Sequence, residues 1–126
     1  MEKKLIKAAK KVSENSYSPY SKYKIGAALL TDSGKIYTGT NVENSSYPAG
    51  VCAERVAIFK AAAAGEKKFK MLAIYSQTKK LFFPCGICRQ VISEFSQNLP
   101  VIIMNKDEET VHTNIKDLLP NAFSLK

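Results

Sequence analysis

Leu5, Ala8, Ala9 and Val12 recur at helical spacing between Glu2 and Glu14, which places them on one face and predicts an amphipathic helix. Ser16 to Lys22, interrupted by Ser18-Pro19, reads as a loop. Lys24 to Leu30 and Lys35 to Thr40 are β-rich and flank Thr31-Asp32-Ser33-Gly34, the pattern of a hairpin. A second loop runs from Asn41 to Gly50. The next helix is expected from about Cys52 to Ala64, carried by the helix-favouring run Ala61 to Ala64 and stopped by Gly65. Met71 to Ser76 is a short apolar strand, and Gln77 to Pro84 leads on from it. Ile87, Val91, Ile92 and Phe95 give Gly86 to Phe95 a helical period. Val101 to Met104 predicts a buried strand and Thr110 to Thr113 an edge strand. Asn114 caps a short helix through Leu119. The order αββαβαββα, with five strands, implies a mixed sheet covered by helices, a three-layer α/β fold.

A length of 126 residues fits a single domain over 1–126 with a core of its own. No apolar run approaches the roughly 18 residues of a membrane-spanning helix, so no membrane partner is expected. Met1 to Lys7 lacks the apolar stretch of a secretion signal, and a cytoplasmic protein is expected. Three cysteines in such a chain point to thiols or metal ligands and not to a disulfide framework. The net charge of +8 raises nucleic acid as a partner, but all but two of the 19 basic residues are lysines scattered along the chain. That distribution describes a solvated surface, and no nucleic-acid partner is expected. The two arginines, Arg55 and Arg89, each stand beside a cysteine motif. A guanidinium's fixed hydrogen bonds and permanent charge suit support of a metal site.

The informative residues are Cys52-Ala53-Glu54-Arg55 and Pro84-Cys85-Gly86-Ile87-Cys88-Arg89-Gln90. Cys85 and Cys88, three apart, share a face on a first helical turn. With Zn–S bonds of about 2.3 Å, tetrahedral sulfur ligands lie roughly 3.7 Å apart, a separation this spacing reaches. Cys52 opens another helix, where unpaired N–H groups favour a thiolate. Three thiolates make a site for one zinc per chain and leave its fourth position open, as in catalytic zinc centres that acidify water. Glu54 is then the candidate proton carrier. One geometric condition applies. Residues i and i+2 inside a helix point roughly 200° apart, so Cys52 and Glu54 can face one metal only if Cys52 lies within about one residue of its helix start. Three thiolates also leave a net negative charge on the zinc site, which Arg55 or Arg89 would offset by hydrogen-bonding a sulfur.

Other readings of these residues stand beside this one. Cys85 and Cys88 could be a thioredoxin-like redox pair, which leaves Cys52 and Glu54 without a role. His112, the only histidine, could close a structural Cys₃His zinc site, although its surroundings read as a polar edge strand. Cys52 alone could be a small buried hydrophobe.

Together the motifs resemble those of the zinc nucleoside deaminases, and within them the small homotetrameric cytidine deaminases. The resemblance runs through Ser18-Pro19-Tyr20-Ser21-Lys22, Ile25 to Leu29, Asn41-Val42-Glu43-Asn44, Tyr47-Pro48, both cysteine motifs and Leu118-Leu119-Pro120. It implies a three-layer α-β-α cytidine deaminase-like fold, and zinc on Cys52, Cys85 and Cys88 with Glu54 as proton shuttle. The implied reaction is hydrolytic deamination of cytidine and deoxycytidine to uridine and deoxyuridine with release of ammonia, in pyrimidine salvage. It further implies that Asn41 and Glu43 hold the ribose hydroxyls, the backbone at Ala53 the pyrimidine carbonyl, and Tyr23 the base or sugar. Tyr23 stands where the family usually has Phe. Phe123 would reach a neighbouring subunit's site, with Tyr47 near one, in a homotetramer with shared active sites.

Asn41 and Glu43 carry an argument of their own. Two apart at a strand end, they face one pocket if the chain stays extended. An ionised Glu43 only accepts hydrogen bonds and Asn41 also donates, which together suit a free sugar hydroxyl. The same two residues could be ordinary loop residues. Remaining alternatives are a related zinc deaminase of a nucleoside antibiotic or of polynucleotide cytosine, and a non-catalytic structural zinc module.

Overall fold

Residue alternation along each strand assigns the two faces of the sheet. The computed structural model describes residues 1–126. Its elements are α1 (Glu2–Ser13), β1 (Ile25–Thr31), β2 (Ile36–Thr40), α2 (Ala53–Ala63), β3 (Phe69–Ser76), α3 (Gly86–Phe95), β4 (Pro100–Met104), β5 (Thr110–Asn114) and α4 (Ile115–Leu118). The sheet order is β2-β1-β3-β4-β5. β1 runs antiparallel to β2 and β3, β3 is parallel to β4, and β4 is antiparallel to β5. Ala27, Leu29, Leu72, Ile74, Val101 and Ile103 meet Ala57, Ile58 and Ala61 of α2 and Ile92 of α3. The alternate positions Ala28, Leu30, Ala73 and Tyr75 meet Leu5 and Ala9 of α1. The sheet therefore lies between α1 and the other helices, the expected three layers. Each buried Leu or Ile contributes roughly 1.5–3 kcal/mol. No helix is long and apolar enough to cross a membrane.

The expected order of helices and strands is the observed one, with boundaries moved by a residue or two. A 3₁₀ turn at Tyr47–Ala49, with Pro48 fixing φ near its start, interrupts the loop expected from Asn41 to Gly50. Two glycines set how closely the layers approach. A Cβ on Gly26 would stand 1.9 Å from the Ala9 carbonyl oxygen, and one on Gly39 would stand 2.4 Å from the Ala53 oxygen and 2.5 Å from the Ala57 nitrogen. β2 is thereby seated against the first turn of α2.

Strand direction decides where the loops gather. β2, β3 and β4 run the same way, so their carboxyl ends share an edge of the sheet with the start of β1. The chain before β1, after β2 and after β3 converges there, at the kind of edge where α/β proteins place ligands.

Candidate active site

Cys52 is the residue immediately before α2, with φ −78° and ψ 155°, and Cys85 holds the same position before α3. Cys88, in the first turn of α3, is fully buried. The condition set by the Cys52–Glu54 spacing is met, because Cys52 lies outside the helical repeat. The Cys52 and Cys85 sulfurs are 3.7 Å apart, and all three sulfurs lie within 4.8 Å of one another. Sulfur ligands of one tetrahedral zinc would stand about 3.7 Å apart, so these residues fit the ion. The Cys85 sulfur also accepts from the Cys88 backbone N–H at 3.5 Å, which leaves it aimed by the helix end.

Proton balance among the sulfurs points the same way. The Cys52 thiol is lowered to about 5, first by its hydrogen bond with Cys88 and then by Arg55 and Cys85, against the opposing effect of burial. The same Cys52 contact, with burial and the nearby Glu54 carboxylate, pushes Cys88 up. A cluster that bears one thiolate easily and resists more is one that a dication stabilises.

Arg55 and Arg89 separate. The Arg55 guanidinium stands 3.9 Å from the Cys52 sulfur through Nη2, and its Nε is the only buried side-chain nitrogen or oxygen lacking a hydrogen-bond partner. Arg89 instead donates from Nε to the Pro84 carbonyl at 2.7 Å and from Nη1 to the Leu118 carbonyl at 2.8 Å. It braces the approach to Cys85 against the end of α4 and has no hydrogen bond to sulfur. The reason is its place in α3: one residue past Cys88, it points about 100° away from that sulfur.

Glu54, in the first turn of α2, is 5% exposed. Burial raises its carboxyl to about 7, opposed by its own backbone N–H. A cation on the sulfurs would draw it back toward the ionised form. His112 is elsewhere. On β5 it pairs with Ile102 of β4, on the α1 face, and its Nε2 meets the Glu2 carboxylate at 2.6 Å. A closed Cys₃His site is thus not assembled.

A cavity of about 570 Å³ opens beside this cluster, and its lining includes Cys52, Ala53, Glu54, Arg55 and Cys85 together with Asn41 and Glu43. Such a volume falls within the range of small-molecule sites. Val42 bonds Val51 in both directions, at 3.0 and 2.9 Å, while Asn41 and Glu43 bond the backbone of Tyr17. The segment is therefore extended, and alternation turns Asn41 and Glu43 the same way. The Asn41 Oδ1 accepts from the Ser16 hydroxyl at 2.6 Å and the Ile25 N–H at 3.1 Å, and its Nδ2 donates to the Tyr23 carbonyl at 2.7 Å. One N–H remains for a ligand. Glu43 Oε1 accepts from the N–H groups of Tyr20 and Ser21, both at 3.0 Å, and Oε2 accepts from the Ser21 hydroxyl. Desolvation pushes Glu43 up, but these donors and Lys22 outweigh it, and its carboxyl lies below the ordinary range.

Tyr23 lines the cavity with its ring 4.9 Å from that of Phe82. Phe82 and Phe83, both lining residues, were not singled out by sequence. Their only signal is two adjacent aromatics just ahead of Pro84-Cys85. Tyr47 lies at the rim, 80% exposed. Phe123 is 68% exposed and outside this chain's cavity, with its carbonyl held by Gln90 Nε2 at 3.0 Å.

The family model described as "Cytidine and deoxycytidylate deaminase zinc-binding region" matches residues 1–104. The chain belongs to this family. A cytidine deaminase of Sporosarcina psychrophila is 48% identical over 122 residues, covering 96% of this chain and 90% of the relative. A probable cytidine deaminase of Dictyostelium discoideum is 46% identical over 122 residues, with coverage of 96% and 82%. Among solved structures, the cytidine deaminase from Burkholderia pseudomallei superposes with a TM-score of 0.93 at 44% identity, covering 98% of this chain and 99% of that one. That of Mycobacterium tuberculosis gives 0.84 at 34% identity, with 98% coverage of both. As a member of the deaminase family, the chain has the mixed five-stranded α/β fold of these structures.

Proposed function

We propose that this protein hydrolyses cytidine and deoxycytidine to uridine and deoxyuridine with release of ammonia. The observation that carries the reading is one cavity whose lining joins Cys52 and Cys85 of the zinc-fitting thiol triangle and buried Glu54 with the donor–acceptor pair Asn41 and Glu43. Curated relatives named cytidine deaminase along 96% of the chain support it. Cys52, Cys85 and Cys88 would hold one zinc, which supplies a Lewis acid that makes water nucleophilic at neutral pH.

The remaining work falls to the chain's own groups. Glu54 takes a proton from the water that adds at C4 and passes it to N3. It then takes the second proton from the hydroxyl left on C4 and gives it to the amine as the C4–N bond breaks and the C4 carbonyl forms. Water enters and ammonia leaves, so atoms and charge balance. A carboxyl that burial pushes up and a cation on the sulfurs draws back down can hold and release protons in this way. The Ala53 backbone, at the positive start of α2, faces the pyrimidine carbonyl. Arg55 offsets sulfur charge, while Arg89 acts by bracing the Cys85 approach. Tyr23, backed by Phe82, packs against the nucleoside.

The free Asn41 N–H and the open side of Glu43 Oε2 suit sugar hydroxyls. A 3′-phosphate removes the hydroxyl donor and sets charge against Glu43, so polynucleotides are rejected despite the basic surface. Leaving one polar group unpaired costs about 1–3 kcal/mol, which already exceeds tenfold at its midpoint. The reading places the enzyme, as a single domain over residues 1–126, in the cytoplasm, where free thiols persist. It also makes the protein a homotetramer. Tyr20, Tyr47 and Phe83 are exposed around the cavity mouth, an apolar rim suited to a neighbouring subunit, and Phe123 would reach that subunit's site.

Turnover of cytidine, 3′-CMP and a short single-stranded oligonucleotide tests the substrate. Cytidine should exceed both others more than tenfold, and Glu43→Gln should lower kcat/KM for cytidine while narrowing the gap. Oligonucleotide deamination at a rate comparable to cytidine would favour a polynucleotide enzyme instead.

A further inference from the structure

We propose that Ser21 is a positioning residue that aims Glu43 at the sugar, so that discrimination for ribose hydroxyls depends on a serine hydroxyl outside the chemistry. The inference rests on the nucleoside reading above and deepens it. Ser21 lies at the cavity wall and makes two contacts to one carboxylate and a third with the Tyr23 backbone. Its N–H donates to Glu43 Oε1 at 3.0 Å, beside the Tyr20 N–H at the same distance. Its hydroxyl accepts from the Tyr23 N–H at 3.1 Å and donates to Glu43 Oε2.

Counting lone pairs gives the consequence. A hydroxyl has one proton, and with Tyr23 N–H occupying its acceptor side that proton is committed to Glu43. Oε1 is filled by two backbone donors. Oε2, with one position taken by Ser21, keeps one for a ligand, and its direction is set by the other. The carboxylate is thus fixed in rotation and presents a single acceptor beside the free N–H of Asn41. The same hydroxyl ties the backbone of Tyr23 to Glu43, so two walls of the sugar end share one hinge point. The Ser21–Glu43 contact spans 22 residues, between a loop before β1 and a segment after β2 that Tyr20 and Asn41 also bridge.

Without the hydroxyl, Glu43 Oε2 has two open positions and water competes for both. Binding of a sugar that offers hydroxyls should weaken, while binding of one that lacks them should not. The test compares cytidine with 2′,3′-dideoxycytidine in wild type, Ser21→Ala and Ser21→Thr, with zinc content and Tm measured on each. Ser21→Ala should raise KM for cytidine about tenfold, the value of one charge-assisted hydrogen bond at a partly exposed site, with kcat within about twofold. Its kcat/KM for dideoxycytidine should stay within about twofold of wild type, and Ser21→Thr, which keeps the hydroxyl, should recover cytidine binding. An equal loss for both nucleosides, a change in kcat alone, or no change would overturn the proposal. Wild-type protein that failed to deaminate cytidine would instead overturn the nucleoside reading itself.

Discussion

Gly39→Ala puts a methyl group where β2 meets the first turn of α2. The new Cβ would lie 2.4 Å from the Ala53 oxygen, 2.5 Å from the Ala57 nitrogen and 2.8 Å from the Val56 Cβ. Two of these atoms are backbone, so no rotamer change relieves them, and α2 must move by at least about half an ångström to reach even tight van der Waals contact. Overpacking of this kind costs about 1–3 kcal/mol, a fall in Tm of roughly 4–12 °C for a chain of this length. The displaced turn carries Cys52, Ala53 and Glu54. Misplacing reacting groups by about 1 Å costs on the order of 10²-fold in rate, so a shift of half that should cost about tenfold in kcat. Calorimetry with and without zinc separates the site from the fold, because metal bound only to the folded state raises Tm with its affinity. The zinc-dependent rise should shrink in Gly39→Ala. Gly26→Ala is the control: its clash with Ala9 is more severe but lies on the α1 face, so stability falls while the zinc-dependent rise stays near the wild-type value. A Gly39→Ala protein with undiminished zinc stabilisation and turnover would refute the claim that this contact sets the site.

Replacing His112 with Ala should leave one zinc per chain by metal analysis, since its ring is held by Glu2 on the far face of the sheet. Loss of zinc in that variant would revive the closed structural site. Deleting Phe123 to Lys126 should weaken both assembly, read by sedimentation, and nucleoside binding. A truncated monomer with full activity would show that each site is self-contained.

The parts of the fold that local pattern controls were legible in the sequence. α3 runs from Gly86 to Phe95 as its apolar period predicts, because Cys85 caps it and the repeat ends at Phe95. β3 starts earlier than its apolar run suggests, at Phe69, where a shift in pairing between Leu30 and Thr31 brings Phe69 into the sheet. Cys52 and Glu54 could be read as a pair because the geometric condition on them was local. Asn41 and Glu43 could be placed together for the same reason. What sequence did not reveal is carried by contacts across loops. The Tyr23–Phe82 packing and the Ser21–Glu43 bond join segments far apart in the chain, and no periodicity encodes them. Arg55 and Arg89 looked equivalent beside their motifs. Only the helix positions distinguish the guanidinium near sulfur from the one on the Pro84 and Leu118 carbonyls.

The central claim is that three cysteines hold a zinc while Glu54 moves the protons. Ammonia release from cytidine and zinc content, measured on the same preparations of wild type and Glu54→Gln, tests it most directly. Both proteins should carry one zinc per chain and fold alike. Wild type should deaminate cytidine, and the variant should lose several powers of ten, because Glu54 handles more than one transfer and each contributes roughly 10²–10⁴-fold. A Glu54→Gln protein within tenfold of wild type, or a wild type active without bound zinc, would contradict the account.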